Sequence, residues 1–265
     1  KILYAPVGSD GIAQIEKLKS LIGADTRLVS IMAVNNEIGV IQPLEKIGAI
    51  CKEKGVLFHC DGAQALGKTP LDVKAMNIAF MSLSAHKIYG PKGVGALYAR
   101  KDALRKLTPQ MDGGGQERGV RSGTLSPALC VGFGRAAEIA KEEMEAEAAR
   151  TEKMARAFLS TLKKAIPGIR LNGSAQSRWW GNLNVTFPGR DGDMMISALK
   201  KVAVSSGAAC ASATEGPSYV LEAIGVSEKD AKSTLRIGFG RFTTEEEAAF
   251  AGDYLAAEIG KLGSD

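Results

Sequence analysis

The apolar positions of this chain follow two different periods. In the first half, short near-continuous apolar runs alternate with segments of helical spacing. Residues 27–34 are apolar and β-branched, the pattern of a buried strand. Pro43 then opens a helix in which Leu44, Ile47 and Cys51 recur at helical spacing, and Gly55 follows its end. Residues 56–60, 79–83 and 93–98 read as further strands. Such strands, separated by helices, predict a parallel or mixed sheet covered on both faces. Residues 111–124 are glycine-rich and charged, a long loop. Ser126-Pro127 reads as the cap and first turn of a long helix that runs to about residue 165, where Pro167-Gly168 stops it. Its middle, 141–156, is polar on most faces, as in a solvated connecting helix.

Beyond that helix the period changes. Short strands (169–171, 182–187, 202–204, 234–239) mix with helices at 193–200 and 218–224. A last helix starts at Thr243, with Glu246 three residues on completing a capping box. The pattern predicts an α/β domain over residues 1–144 and a smaller α+β domain over 145–265, divided within the long helix.

Composition narrows the classes. With 265 residues, the chain can bury a core in one or two domains. Hydrophobic residues make up 45% and charged residues 24%, ordinary for a soluble globular protein. No apolar stretch would span a bilayer and no secretory leader is expected, so no membrane association is predicted. The chain opens Lys1-Ile2-Leu3-Tyr4 without an initiator methionine, so a fragment or processed form is expected. The net charge of +5 is scattered and aromatics are few, which argues against nucleic-acid binding. Cys51, Cys60, Cys130 and Cys210 form no CxxC pair, and no Cys/His set has zinc-ligand spacing. No metal site is expected, and widely spaced thiols suggest a reducing, cytoplasmic setting. With only His59 and His86 present, a mechanism needing several histidines is excluded within this chain.

Candidate chemistry concentrates around Lys87. It lies in Ser84-Ala85-His86-Lys87-Ile88-Tyr89-Gly90, just after an apolar strand. A partly desolvated amine there could form a Schiff base, the way pyridoxal phosphate is held. The plainer reading is a solvated loop lysine. Asp61 ends the strand before it, where ligands of open α/β sheets sit, and could pair with a pyridine nitrogen. It could equally cap a helix. Gln64 could donate to a phenolic oxygen. Ser84 and His86 could bind a phosphate, or His86 could simply be satisfied by backbone. Asn36, at another strand's carboxyl end, could contact a cofactor or substrate or serve a turn. Thr124, in Arg121-Ser122-Gly123-Thr124, belongs to a plausible anion site. Arg236 interrupts an apolar strand, so it either grips a substrate carboxylate or makes a structural ion pair. Cys210 sits in Ser205-Ser206-Gly207-Ala208-Ala209-Cys210-Ala211-Ser212, small residues that suit a thiol travelling to a substrate. Cys51, Cys60 and Cys130 lie in apolar segments and read as small buried residues.

Together these stretches resemble a known family. VNNEIGVIQP, FHCDGAQALGK, SLSAHKIYGPKGVGALY, GGGQERGVRSGTLSP, SSGAACAS, PSYVLEAIG and STLRIGFGRFTTEEE resemble, in family order, the class I cysteine desulfurases. The resemblance implies the fold-type I architecture of pyridoxal-phosphate-dependent transferases: an incomplete large α/β domain plus a smaller α+β C-terminal domain. It implies pyridoxal 5'-phosphate as cofactor, Lys87 as its imine-forming lysine, Asp61 on the ring nitrogen and Gln64 on the phenolic oxygen. Ser84 and His86 would bind the phosphate, and Thr124 would reach the phosphate of a neighbouring subunit in a homodimer. Asn36 would contribute to cofactor and substrate binding, holding the substrate carboxylate with Arg236. Cys210 would attack the sulfur of L-cysteine, leaving alanine and a persulfide for an acceptor such as an iron–sulfur scaffold. The family's first part, with a phosphate-anchoring loop and a ring-stacking histidine, has no counterpart here. Its absence would leave an exposed sheet edge. A silent fragment needing that part and a selenocysteine lyase-like enzyme are the competing expectations.

Overall fold

The computed structural model describes residues 1–206 and 218–262. In chain order its elements are α1 (Ile15–Leu21), β1 (Leu28–Met32), α2 (Leu44–Glu53), β2 (Leu57–Asp61), β3 (Phe80–Ser84), a 3₁₀ turn (Ala85–Ile88), β4 (Gly95–Ala99) and α3 (Lys101–Leu104). After them come α4 (Pro127–Ala165), β5 (Arg170–Leu171), β6 (Asn182–Thr186), α5 (Gly192–Ala198), β7 (Ser205–Ser206), α6 (Tyr219–Ala223), α7 (Glu228–Lys232), β8 (Thr234–Gly238) and α8 (Glu245–Lys261). The chain divides into two compact units. One holds Ile22–Ala33 and Pro43–Met144; the other holds Lys1–Leu21, Val34–Gln42 and Glu145–Asp265.

The first unit is built on a mixed sheet in the order β1-β2-β3-β4. β1, β2 and β3 run parallel and β4 returns antiparallel on β3. Phe58 and Cys60 on β2 and Val29 on β1 fill one face. Polar side chains share the opposite face: Ser30, then His59 and Asp61, then Ser82 and Ser84, by the two-residue period of the strands. α2 packs close to a neighbouring turn, because at Gly48 a Cβ would stand 1.9 Å from the Met76 carbonyl oxygen. Alanine is the better helix former by about 1 kcal/mol, but this overlap is with backbone and cannot be relieved by a rotamer change. Gly48→Ala is therefore expected to destabilise by about 2 kcal/mol or more, read as a lower denaturant midpoint.

The second unit carries an antiparallel sheet in the order β5-β6-β8-β7. Its apolar face bears Leu183 and Val185 of β6, with Phe187 just after it, and Leu235 and Ile237 of β8. It packs against Met154, Phe158 and Leu162, an i, i+4 stripe on the second half of α4 that Ile166 continues just past its end, and against Leu255 and Ile259 of α8. The opposite face is polar, with Asn184 opposite Arg236 and Thr186 opposite Thr234. The buried Arg241–Glu147 pair, 2.9 Å apart, joins the loop before α8 to α4.

The sequence pattern assigns everything before residue 145 to one domain, whereas the structure places Lys1–Leu21 and Val34–Gln42 with the C-terminal half. The reason is long-range packing: Ile38 and Val40 are buried with Val220, Leu221 and Ile224, against Val7 and Ile12. The capping box of the last helix lies one residue later than expected. Thr244 accepts from Glu247 N at 3.1 Å and its own N–H donates to Glu247 Oε2 at 2.9 Å. The run Thr243-Thr244-Glu245-Glu246-Glu247 satisfies the motif in two registers, and Thr243 Oγ1 is already accepting from Gly240 N.

Candidate active site

The first unit gathers the lysine and its neighbours. β2 ends at Asp61 and β3 at Ser84, and Asp61 lies directly opposite Ser82. Both carboxyl-end side chains thus leave the polar face of two adjacent parallel strands, the place where open α/β sheets bind ligands. The chain then tightens into the 3₁₀ turn that carries His86 and Lys87. Ile88 anchors it, buried against Ala136 and Ala140 of α4. Tyr89 ends it in the left-handed region at φ 66°, a costly conformation for a bulky residue. Gly90 follows because a Cβ there would meet the Ala85 carbonyl oxygen at 2.9 Å. Ser84 Oγ and His86 Nδ1 are hydrogen bonded at 3.0 Å, so these two already form a pair.

Asp61 Oδ1 accepts from Ala63 N at 2.9 Å within a turn, and among the described residues no helix follows for it to cap. Gln64 Oε1 accepts from Lys68 Nζ at 2.8 Å. That bond commits the amide oxygen and leaves the NH₂ end to face a ligand. Lys87 is exposed, as in the plainer of its two readings, while Ile88 of the same turn is buried against α4. Thr124 is exposed, and its expected contact is with a neighbouring subunit.

The second unit gathers Asn36 and Arg236. Asn35 Oδ1 accepts from Glu37 N at 2.8 Å and Ile38 N at 3.0 Å, folding residues 35–39 into a tight turn. The turn sits on the small sheet. Asn36 O accepts from Asn182 Nδ2 at 3.0 Å and from Arg236 Nη1 at 3.2 Å, while Ile38 O accepts from Arg178 Nη2 at 2.8 Å. Gly39, at φ +71°, has no room for a Cβ, which would stand 2.7 Å from Asn182 O. Arg236 is half-buried on the polar face, and its charge acts on the carboxyl of Glu37, which is 4% exposed. Burial pushes the Glu37 carboxyl above its ordinary range, while the Ser218 hydroxyl and the Arg236 charge pull it back. Cys210 lies outside the described residues.

Two residues of these clusters have no assigned role in the sequence reading. Glu37 is one, and its signal is only a charge inside an asparagine turn. His59 is the other. Its Nδ1 is hydrogen bonded to Ser30 Oγ at 2.8 Å and its Nε2 to Ser82 Oγ at 2.9 Å, spanning three strands beside Asp61. Burial lowers its pKa from the ordinary 6.5, with Asp61 opposing. The neutral ring is favoured in the folded state, so its contribution to stability is complete above pH 6.5 and is lost as the pH falls through the lowered value. Denaturant titrations from pH 7.5 downward are expected to show that loss, and His59→Gln to flatten it. Of the cysteines expected in the interior, Cys51 and Cys60 are buried, and burial raises their thiols to about 11 and about 12. Cys130 is exposed, because it shares the solvent side of α4 with Val131, which is 71% exposed.

The profile of the aminotransferase class-V family matches residues 1–249. The chain belongs to that family. It is 53% identical to the cysteine desulfurase IscS of Rickettsia rickettsii (strain Iowa) over 262 residues, which cover 99% of this chain and 64% of that protein. It is 52% identical to the mitochondrial cysteine desulfurase of Arabidopsis thaliana, covering 99% of this chain and 58% of the relative. The chain therefore spans less than two-thirds of these curated relatives. Among solved structures, a NifS-like protein superposes with a TM-score of 0.87 at 36% identity, over 98% of this chain and 68% of that one. SspA in complex with cysteine superposes with a TM-score of 0.78 at 34% identity, over 92% and 67%. The fold is the α/β fold of fold-type I enzymes.

Proposed function

We propose that the chain carries the cofactor and substrate machinery of a cysteine desulfurase, which takes sulfur from L-cysteine and leaves alanine. The observation that carries this reading is the donor set at the carboxyl ends of β2 and β3. It combines an amine (Lys87), a carboxylate (Asp61), an amide held by its oxygen (Gln64) and a hydroxyl–imidazole pair (Ser84–His86). That set fits pyridoxal 5'-phosphate group by group: aldehyde, ring nitrogen, phenolic oxygen and phosphate. Lys87 would anchor the cofactor, Asp61 would keep a proton on its ring nitrogen, and Gln64 would donate to the phenolic oxygen. Ser84 and His86 would take the phosphate, with Thr124 of a neighbouring subunit completing it in a homodimer. Once bound, the group supplies an electron sink for the pair released at the substrate carbon.

The rest falls to the chain's own residues. Arg236 and Asn36 orient the substrate carboxylate. The Cys210 thiolate attacks the substrate sulfur, a sulfur–sulfur bond forms as the carbon–sulfur bond breaks, and the carbon is protonated to give alanine. The persulfide on Cys210 then passes to an acceptor thiol, such as that of an iron–sulfur scaffold. The relatives named as cysteine desulfurases and the SspA structure in complex with cysteine support L-cysteine as the substrate. Among the described residues no helix is long and apolar enough to cross a membrane, and a cytoplasmic location is our reading. The exposure of His86 and Lys87 favours a second reading, in which further protein must close the site before it turns over. Sulfide and alanine measured from the purified chain with L-cysteine, added cofactor and a reducing thiol to release the persulfide sulfur separate the two. Equimolar products support the first. Cofactor binding without turnover supports the second.

A further inference from the structure

On the proposed reading, Arg236 and Asn36 receive the substrate carboxylate, but Glu37, next to Asn36, has no part in that scheme. Its carboxylate is 4% exposed and is held by Ser218, itself 3% exposed, whose Oγ donates to Glu37 Oε2 at 2.5 Å. Ser218 is fixed in turn, because its Oγ also accepts from Leu221 N at 3.2 Å as the cap of α6. The turn that presents Glu37 is held by Arg236 and Asn182 through the Asn36 carbonyl. A buried carboxylate is thus held by Ser218, on a turn whose preceding carbonyl is held by the guanidinium that is to take the ligand.

We propose that Glu37 is the resident counter-charge of Arg236 and sets how tightly the Arg236–Asn36 pair holds a monocarboxylate. Substrate and product of a sulfur-removing reaction on an amino acid carry the same carboxylate. Binding energy at that group is therefore equal in the ground and transition states and would only slow exchange. A negative charge on the neighbouring residue compensates Arg236 when no ligand is present, while the Asn36 carbonyl holds the guanidinium, and it keeps the grip on the ligand weak. Ser218 acts through Glu37 as a positioning residue, stabilising the ionised form.

The test uses propionate, a carboxylate without the amine, titrated by NMR into the full chain with cofactor added. E37Q keeps an oxygen acceptor for Ser218 and removes only the charge. It is expected to bind propionate roughly five- to tenfold more tightly, and to lower KM for L-cysteine without raising kcat. S218A, which keeps the carboxylate but removes its donor, is expected to shift affinity the same way by about twofold. A merely structural Glu37 would weaken binding on substitution, so equal or weaker propionate binding by both variants, with unchanged cofactor absorbance, overturns the proposal. R236Q tests the underlying reading separately. It should abolish propionate binding, and unchanged binding there would sink the carboxylate-receptor assignment along with the role of Glu37.

Discussion

Lys87→Ala is expected to abolish retention of pyridoxal phosphate and to lower alanine formation from L-cysteine by roughly three orders of magnitude or more. The lysine is exposed, so removing it deletes no core contact, and its turn stays anchored through Ile88 on α4. Stability should therefore change by no more than about 0.5 kcal/mol, as for a surface substitution. The loss should appear as disappearance of the visible band of the lysine-bound cofactor after gel filtration, with an unchanged denaturant midpoint. A variant that retains the band would place the anchor elsewhere.

Cys210→Ser should leave that band intact and still remove sulfide release by about three orders of magnitude. A hydroxyl is scarcely ionised at neutral pH, while a thiol is partly thiolate and far more nucleophilic. The two variants are therefore expected to separate cofactor retention from sulfur transfer. The exposed Cys130 provides the control, because Cys130→Ser should change neither readout.

Much of this arrangement is legible in the residues themselves. The apolar runs that become β2 and β3 are buried on the Phe58, Cys60 and Met81 side, and Asp61 and Ser84 mark the points where the pattern turns polar. The placement of Asp61, Ser84 and Lys87 at one edge follows from that local pattern. What escapes it is non-local. The assignment of residues 34–42 to the C-terminal unit depends on Ile38 meeting Leu221, and on Arg178 reaching the Ile38 carbonyl 140 residues away. No periodicity encodes such a pairing. Glu37 is hidden for the same reason, since its donor, Ser218, is 181 residues distant. Exposure is the other weak point. Cys130 and Val131 are apolar by type yet face solvent, because folded proteins leave much apolar surface uncovered. Local pattern leaves Lys87 open between a desolvated and a solvated amine, and the turn decides it by burying Ile88 and leaving residue 87 exposed.

The most direct test of the account is mass spectrometry of the peptide containing Cys210 after the purified chain is incubated with pyridoxal phosphate and L-cysteine. One extra sulfur on Cys210, absent from the Lys87→Ala protein treated in the same way, is the predicted result. Alanine formed with Cys210 unmodified, or sulfur gained on Cys130 in its place, would contradict it.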